Sequence, residues 1–146
     1  MITPSNPPAL IDNELQISRD MWAGNPHDTA EEWVNFELDR YLSLGHVNHP
    51  ESGCVIPALG AEIARADASV KALYAQELHK GVVILAKRLG SESLAWAFIC
   101  QLVGAMVLAR AMPTAKEKKA IIEASKQFLQ RALQVQSTHG HTHPPP

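Results

Sequence analysis

The sequence predicts an all-α fold, a single helical domain of five or six helices, and three observations predict it. Alanine, the best helix former, occurs 20 times among 146 residues, against only 8 aromatic side chains. Eight of the 10 prolines lie outside residues 51–143, so little in that stretch interrupts a helix. Apolar residues recur at three- and four-residue spacing through most of the chain, the period of one helix face. The chain divides into a proline-rich N-terminal segment with a weak helix over 1–28, a helical domain over 29–136, and a His/Pro tail over 137–146 that is expected to be disordered.

The elements follow in order. Residues 9–22 form the weak helix, with Ile11, Leu15 and Trp22 on one row and Leu10, Ile17 and Met21 on another, stopped by Gly24-Asn25-Pro26. Thr29-Ala30-Glu31-Glu32 is a capping box, in which hydroxyl and carboxylate satisfy reciprocal backbone donors. It opens a helix that is expected to run to about Leu44, with Val34, Leu38, Tyr41 and Leu42 on its face. Residues 46–53 read as a polar loop. A short helix is predicted over 55–66 with Pro57 in its first turn, where proline loses no hydrogen bond. Asp67 is positioned to cap a longer helix striped by Val70, Tyr74, Leu78, Leu85 and Leu89, and Gly90 to close it.

Residues 91–112 are the most hydrophobic segment. From Leu94 to Ala109 only Gln101 is polar. Sixteen such residues with an internal Gln and a following Arg110 fall short of the roughly 20 needed to cross a bilayer, so the prediction is a helix buried on all sides, one side against its own domain and the other against a second subunit. Gly104 inside that helix costs about 1 kcal/mol relative to alanine, a cost that close approach of another helix would offset. A second capping box at Thr114–Glu117 opens the last helix. There Ile121, Phe128 and Ala132 form one row and Ile122, Leu129 and Leu133 the next, and the lysines outside them read as a solvated face.

Composition narrows the function classes. A formal net charge of -2 shows no basic excess for nucleic acid. Two cysteines make no disulfide framework, which points to a reducing, cytoplasmic setting, and Met1–Pro8 lacks the pattern of a secretory signal. There is no phosphate loop, no dinucleotide fingerprint, no CxxC pair and no paired-carboxylate or nucleophile–base arrangement, so the chain reads as no enzyme and as needing no cofactor. His46, His49 and Glu51 share a loop with HxxH-like spacing, a weak signal on irregular backbone, and His139, His141 and His143 sit in the tail with no carboxylate or cysteine nearby to complete a metal site.

Two stretches carry a family resemblance. Gly53-Cys54-Val55-Ile56-Pro57-Ala58-Leu59-Gly60-Ala61-Glu62-Ile63-Ala64 and the LVGAxxLARA run from Leu102 to Ala111, in that order and followed by one amphipathic helix, resemble the C-terminal regulatory domain of TetR-family transcription regulators. Nothing in residues 1–30 resembles the helix-turn-helix head of that family. The resemblance therefore implies an effector-binding and dimerisation domain without its own DNA reader, taking a small apolar molecule in a helical pocket. It implies a homodimer through the last two helices, paired as a symmetric four-helix bundle. Cys100, Gly104, Leu108, Ile121, Phe128 and Leu129 are the interface candidates. An alternative is an interaction protein that pairs with a full-length relative.

Trp33, Phe36, Tyr74 and Trp96, with Phe98, are candidates to line the pocket, each also readable as ordinary core. Cys54 joins them. It stands just before a helix start, where backbone N–H groups favour thiolate, and some Gly-Cys branches of the resembled family use the matching cysteine to sense electrophiles. The other reading of Cys54 is a small buried residue closing a loop. His79 is expected to be half-exposed.

Overall fold

The computed structural model describes residues 7–52, 54 and 56–139, which fold into an all-α arrangement without strands among the described residues. Six helices have eight residues or more: α1 (Pro7–Ala23), α2 (Ala30–Tyr41), α4 (Ile56–Ile63), α5 (Ala68–Leu89), α6 (Glu92–Arg110) and α7 (Ala115–His139). Between α2 and α4 stand the five-residue α3 (Leu44–Asn48) and a 3₁₀ turn, Pro50–Ser52, where the sequence reads as a loop.

Local chemistry sets the ends. The Thr29 hydroxyl accepts from Glu32 N at 3.2 Å, and Ser91 accepts from Leu94 N at 3.0 Å. At Thr114 the box closes differently from expectation. Glu117 N donates to the hydroxyl at 3.2 Å, and the hydroxyl donates to the Glu117 carboxylate at 2.9 Å instead of the carboxylate reaching back to the backbone. Asp67 occupies the N-cap of α5 without a side-chain capping bond, and Gly90 closes that helix at φ 95°, a left-handed conformation that glycine adopts without strain. The second helix stops at Tyr41, before the expected Leu44, because Ser43 starts α3 by accepting from His46 N at 3.1 Å. At the other end of the chain α7 carries on to His139, so residues 137–139 are helical and not part of a disordered tail; residues 140–146, with His141 and His143, lie outside the described residues.

The N-terminal helix is a full member of the domain, which corrects its separation as a weak outer segment. It runs alongside α5 in the same direction. Arg19 pairs with Glu77 at 3.0 Å and donates to the Glu77 carbonyl at 3.1 Å, and Trp22 lies over Gly81, where a Cβ would come 2.7 Å from the indole. Only glycine lets the two helices approach that closely. Ile11 and Leu15 are buried with Ile56, Leu59 and Ile63 in one apolar cluster. The larger cluster gathers Trp33, Leu38, Val82, Leu85, Phe98 and Met106 with neighbours from α2, α3, α5, α6 and α7. Val103 packs against both. Each such fully buried side chain contributes about 1.5–3 kcal/mol. The last two helices form an antiparallel hairpin, with Gln101 donating to Ser125 at 3.3 Å near its middle.

Candidate functional site

A cavity of about 470 Å³ opens between α1 and the α2–α3 segment, and Cys54 lines its end. Its apolar wall is Ile17, Met21 and Trp22, and Glu14, Glu37 and Arg40 lie on its α1–α2 side. Trp22 holds this wall because Gly81 leaves room for its ring. Glu37 is buried, but it is fully engaged, paired with Arg40 and accepting from Asn25 Nδ2 at 3.0 Å. Asn25 in turn donates to the Trp33 carbonyl at 3.0 Å and accepts from His27 N at 3.1 Å. The turn after α1 is therefore locked to α2 by a buried side chain that an apolar periodicity cannot register.

The other end is built around His46. The Cys54 N–H donates to His46 Nε2 at 3.0 Å, so that nitrogen carries no proton. Nδ1 then bears the hydrogen and donates to the Tyr41 carbonyl at 2.8 Å. Burial lowers the pKa of His46 below its ordinary value, which keeps this neutral tautomer. The Tyr41 ring packs edge-on against the imidazole with centroids 4.5 Å apart. Arg110, from the end of α6, donates to the His46 carbonyl at 3.0 Å.

Two polar atoms in this region are buried without a nitrogen or oxygen partner, Tyr41 Oη, which has the Cys54 sulfur beside it, and Arg110 Nε. Burial pushes the Tyr41 hydroxyl well above its usual range, so it remains a protonated donor. The Cys54 thiol is half-buried and is also pushed up, first by burial, with the Ile56 backbone, hydrogen bonds with Tyr41 and Ser18, and the Arg110 charge opposing. That corrects the expected thiolate-favouring helix terminus, because desolvation of the sulfur outweighs the backbone N–H groups. Cys54 and Cys100 are both free thiols.

Of the six pocket candidates, only Cys54 lines this cavity. Trp33 is wholly buried in the large cluster, with Arg88 5.7 Å from its ring centroid and its indole N–H unpartnered. Phe36 points outward between His27 and Arg40, at 5.2 and 5.3 Å. Phe98 is core. Tyr74 and Trp96 do meet, but in an open groove beside Leu78 and His79 on the far side of α5. His79 is exposed there, 3.9 Å from Glu92. Tyr41, Trp22, Ile17 and Met21 are the lining residues that sequence reading missed. The row Leu10–Ile17–Met21 was the available signal, since a second apolar row on an amphipathic helix needs something to cover it.

The interface candidates fall into two groups. Leu129 is 4% exposed and belongs to the core, because the row Ile122–Leu129 is the one that faces α6. The others lie on the outward side of the α6–α7 hairpin. Leu108 is 57% and Phe128 61% exposed, Cys100 is exposed, and Gly104 and Ile121 are half-buried. With Ala97, Val107 and Ala124 they make a continuous apolar face. A Cβ on Gly104 would meet nothing within 4 Å, so the close approach expected there is to no helix of this chain. The stretch Glu92–Arg110 is also long and apolar enough to cross a membrane by length and composition.

No group of His, Cys, Asp and Glu among the described residues could hold a metal ion. His46 spends both ring nitrogens on the backbone, and His49 faces Glu51 at 3.3 Å. No protein-family model matches the chain, and neither a curated protein nor a solved structure matches it.

Proposed function

We propose that this chain is a homodimeric, non-enzymatic effector-binding domain of the TetR-like kind, taking a small, largely apolar molecule between α1 and the α2–α3 segment. The observation that carries the reading is the cavity itself. It has the size of a small-molecule site, apolar walls and a few convergent polar groups. The exposed apolar face of α6 and α7 supports the dimer. A patch of this kind marks an interaction surface, and a twofold axis through Gly104 brings the same face of two copies together at the one position with no side chain in the way. The same face could receive a longer relative with a matching hairpin. The two free thiols fit a reducing, cytoplasmic setting.

The raised Cys54 pKa favours a bound ligand over a thiol-based electrophile sensor as the signal. Sedimentation of the purified chain tests the dimer, and a thermal-shift screen of small apolar compounds tests the cavity. A monomer at every concentration, or partition of the chain into phospholipid vesicles through α6, overturns the dimer reading. A screen in which no compound raises the melting temperature overturns the effector reading.

A further inference from the structure

The proposed cavity has chemically different ends, and the difference bears on what it takes. At the α1–α2 side Glu37 is matched, held by Arg40 and Asn25, while Glu14 on α1 is a lining carboxylate without an ion pair among the described residues. At the α3 side they are not. Tyr41 Oη is buried with no nitrogen or oxygen partner and only the Cys54 sulfur, a weak acceptor, beside it, Arg110 Nε is buried and unpartnered, and no carboxylate lies within ion-pair distance of Arg110 among the described residues. Glu51 feels the Arg110 charge but is exposed and engaged with His49. The stronger acceptors in this corner already receive a hydrogen bond, which leaves the hydroxyl only the Cys54 sulfur. His46 Nε2 receives Cys54 N–H, and the carbonyls of Tyr41 and His46 receive His46 Nδ1–H and Arg110. A buried donor without a good acceptor is costly, and that cost is removed when something that accepts arrives.

We propose that the effector is an uncharged or anionic molecule whose apolar body lies along Ile17, Met21 and Trp22 and whose terminal carbonyl or carboxylate oxygen accepts a hydrogen bond from the Tyr41 hydroxyl beside Cys54. The proposal rests on the effector-cavity reading and deepens it. At this corner an amine end on the same body is disfavoured, because its ammonium group would face the Tyr41 donor and the positive field of Arg110, the field that also acts on Tyr41, His46 and Cys54. The hydroxyl stays a donor at neutral pH because burial holds its proton on.

Four probes with one body test it by calorimetry on the intact chain at pH 7.5: 2-acetylnaphthalene, 2-naphthoate, naphthalene and 2-naphthylmethylamine. The two acceptor-ended probes are expected to bind about tenfold more tightly than naphthalene, the worth of one buried hydrogen bond, and the amine more weakly than naphthalene. Tyr41→Phe should collapse the preference of acetylnaphthalene over naphthalene to about onefold. The ranking of the ketone against the carboxylate identifies which oxygen the Arg110 field selects. An amine that binds as well as the ketone, or a preference that survives in Tyr41→Phe, overturns this inference and leaves the cavity standing. Failure of all four probes to bind overturns the effector reading with it. The wild-type ranking alone decides the matter should Tyr41→Phe not fold.

Discussion

The α1–α3 wall and the α6–α7 hairpin handle their surfaces in opposite ways. In the α1–α3 region many polar groups are tied to another element, through Asn25 to α2, Arg19 to α5 and His46 to Cys54, and the buried Tyr41 hydroxyl and the unpaired Glu14 carboxylate on the cavity lining are left over. On the hairpin most charged residues of α7 are solvated, and what is left over on its outward face is large and apolar, Val107, Leu108 and Phe128. A region whose unmet need is a hydrogen bond takes a small polar-ended molecule, while a region whose unmet need is burial takes a protein face. The comparison teaches that exposure has to be read together with the kind of group exposed.

The sharpest way to break it is to move one step along α7. Leu129 is core and Phe128 its exposed neighbour. Leu129→Ala should cost about 2–5 kcal/mol of folding stability through the cavity it leaves. Phe128→Ala should change the stability of the isolated subunit by no more than about 0.5 kcal/mol. Chemical denaturation at protein concentrations below the dimer midpoint separates the two, and a large loss on Phe128→Ala there would mean that the outer face belongs to the subunit's own core.

The second test acts on association alone. Leu108→Glu combined with Phe128→Glu places two carboxylates on the apolar face, and truncation at such central positions commonly costs 2 kcal/mol or more of binding energy. The dimer dissociation constant should rise by about a hundredfold or more in analytical ultracentrifugation, with far-ultraviolet circular dichroism unchanged. Gly81→Ala comes next. Its Cβ would stand 2.7 Å from Trp22, so α1 must shift off α5. An overpacking cost of about 1–3 kcal/mol is expected, together with a changed Trp22 environment in fluorescence and weaker binding of any cavity ligand, while the dimer constant stays put.

How much of this was legible in the sequence follows from the same contrast. The ends of the helices were readable because a cap is local chemistry. Thr29, Thr114 and Gly90 each act within four residues of themselves. The outward face of α6 was readable because a helix apolar all round has more apolar surface than its own domain can cover. The cavity was not, since its shape depends on how far α1 stands from α2. That distance is set by a notch at Gly81 and by the buried pairs Arg19–Glu77 and Asn25–Glu37, joining residues up to 58 positions apart. Aromatic content was a poor guide to it, because Trp33 is large enough to fill its own space and ends in the core. The short α3 escaped notice because a five-residue helix has no face to repeat.

The smallest effect concerns the two thiols and how differently they should respond to conditions. Cys100, on the outer face, should alkylate readily in dilute protein and more slowly as concentration carries the chain into the dimer. Cys54 should react more slowly than a model thiol at every concentration, since burial keeps its proton on. Its protection should instead depend on His46. The folded pKa of His46 lies below its ordinary value of 6.5, so the neutral ring contributes stability that is fully present above pH 6.5 and is lost as pH falls through the folded value. Protonation puts a hydrogen on Nε2, which then cannot accept from Cys54 N–H. His46→Asn should therefore speed Cys54 labelling at pH 7.5 and flatten the drop in unfolding midpoint between pH 7.5 and 5.5. Mass-spectrometric labelling rates and melting curves on both proteins measure this. Equal pH dependence in wild type and His46→Asn would assign the anchoring of the Cys54 segment to contacts other than the imidazole.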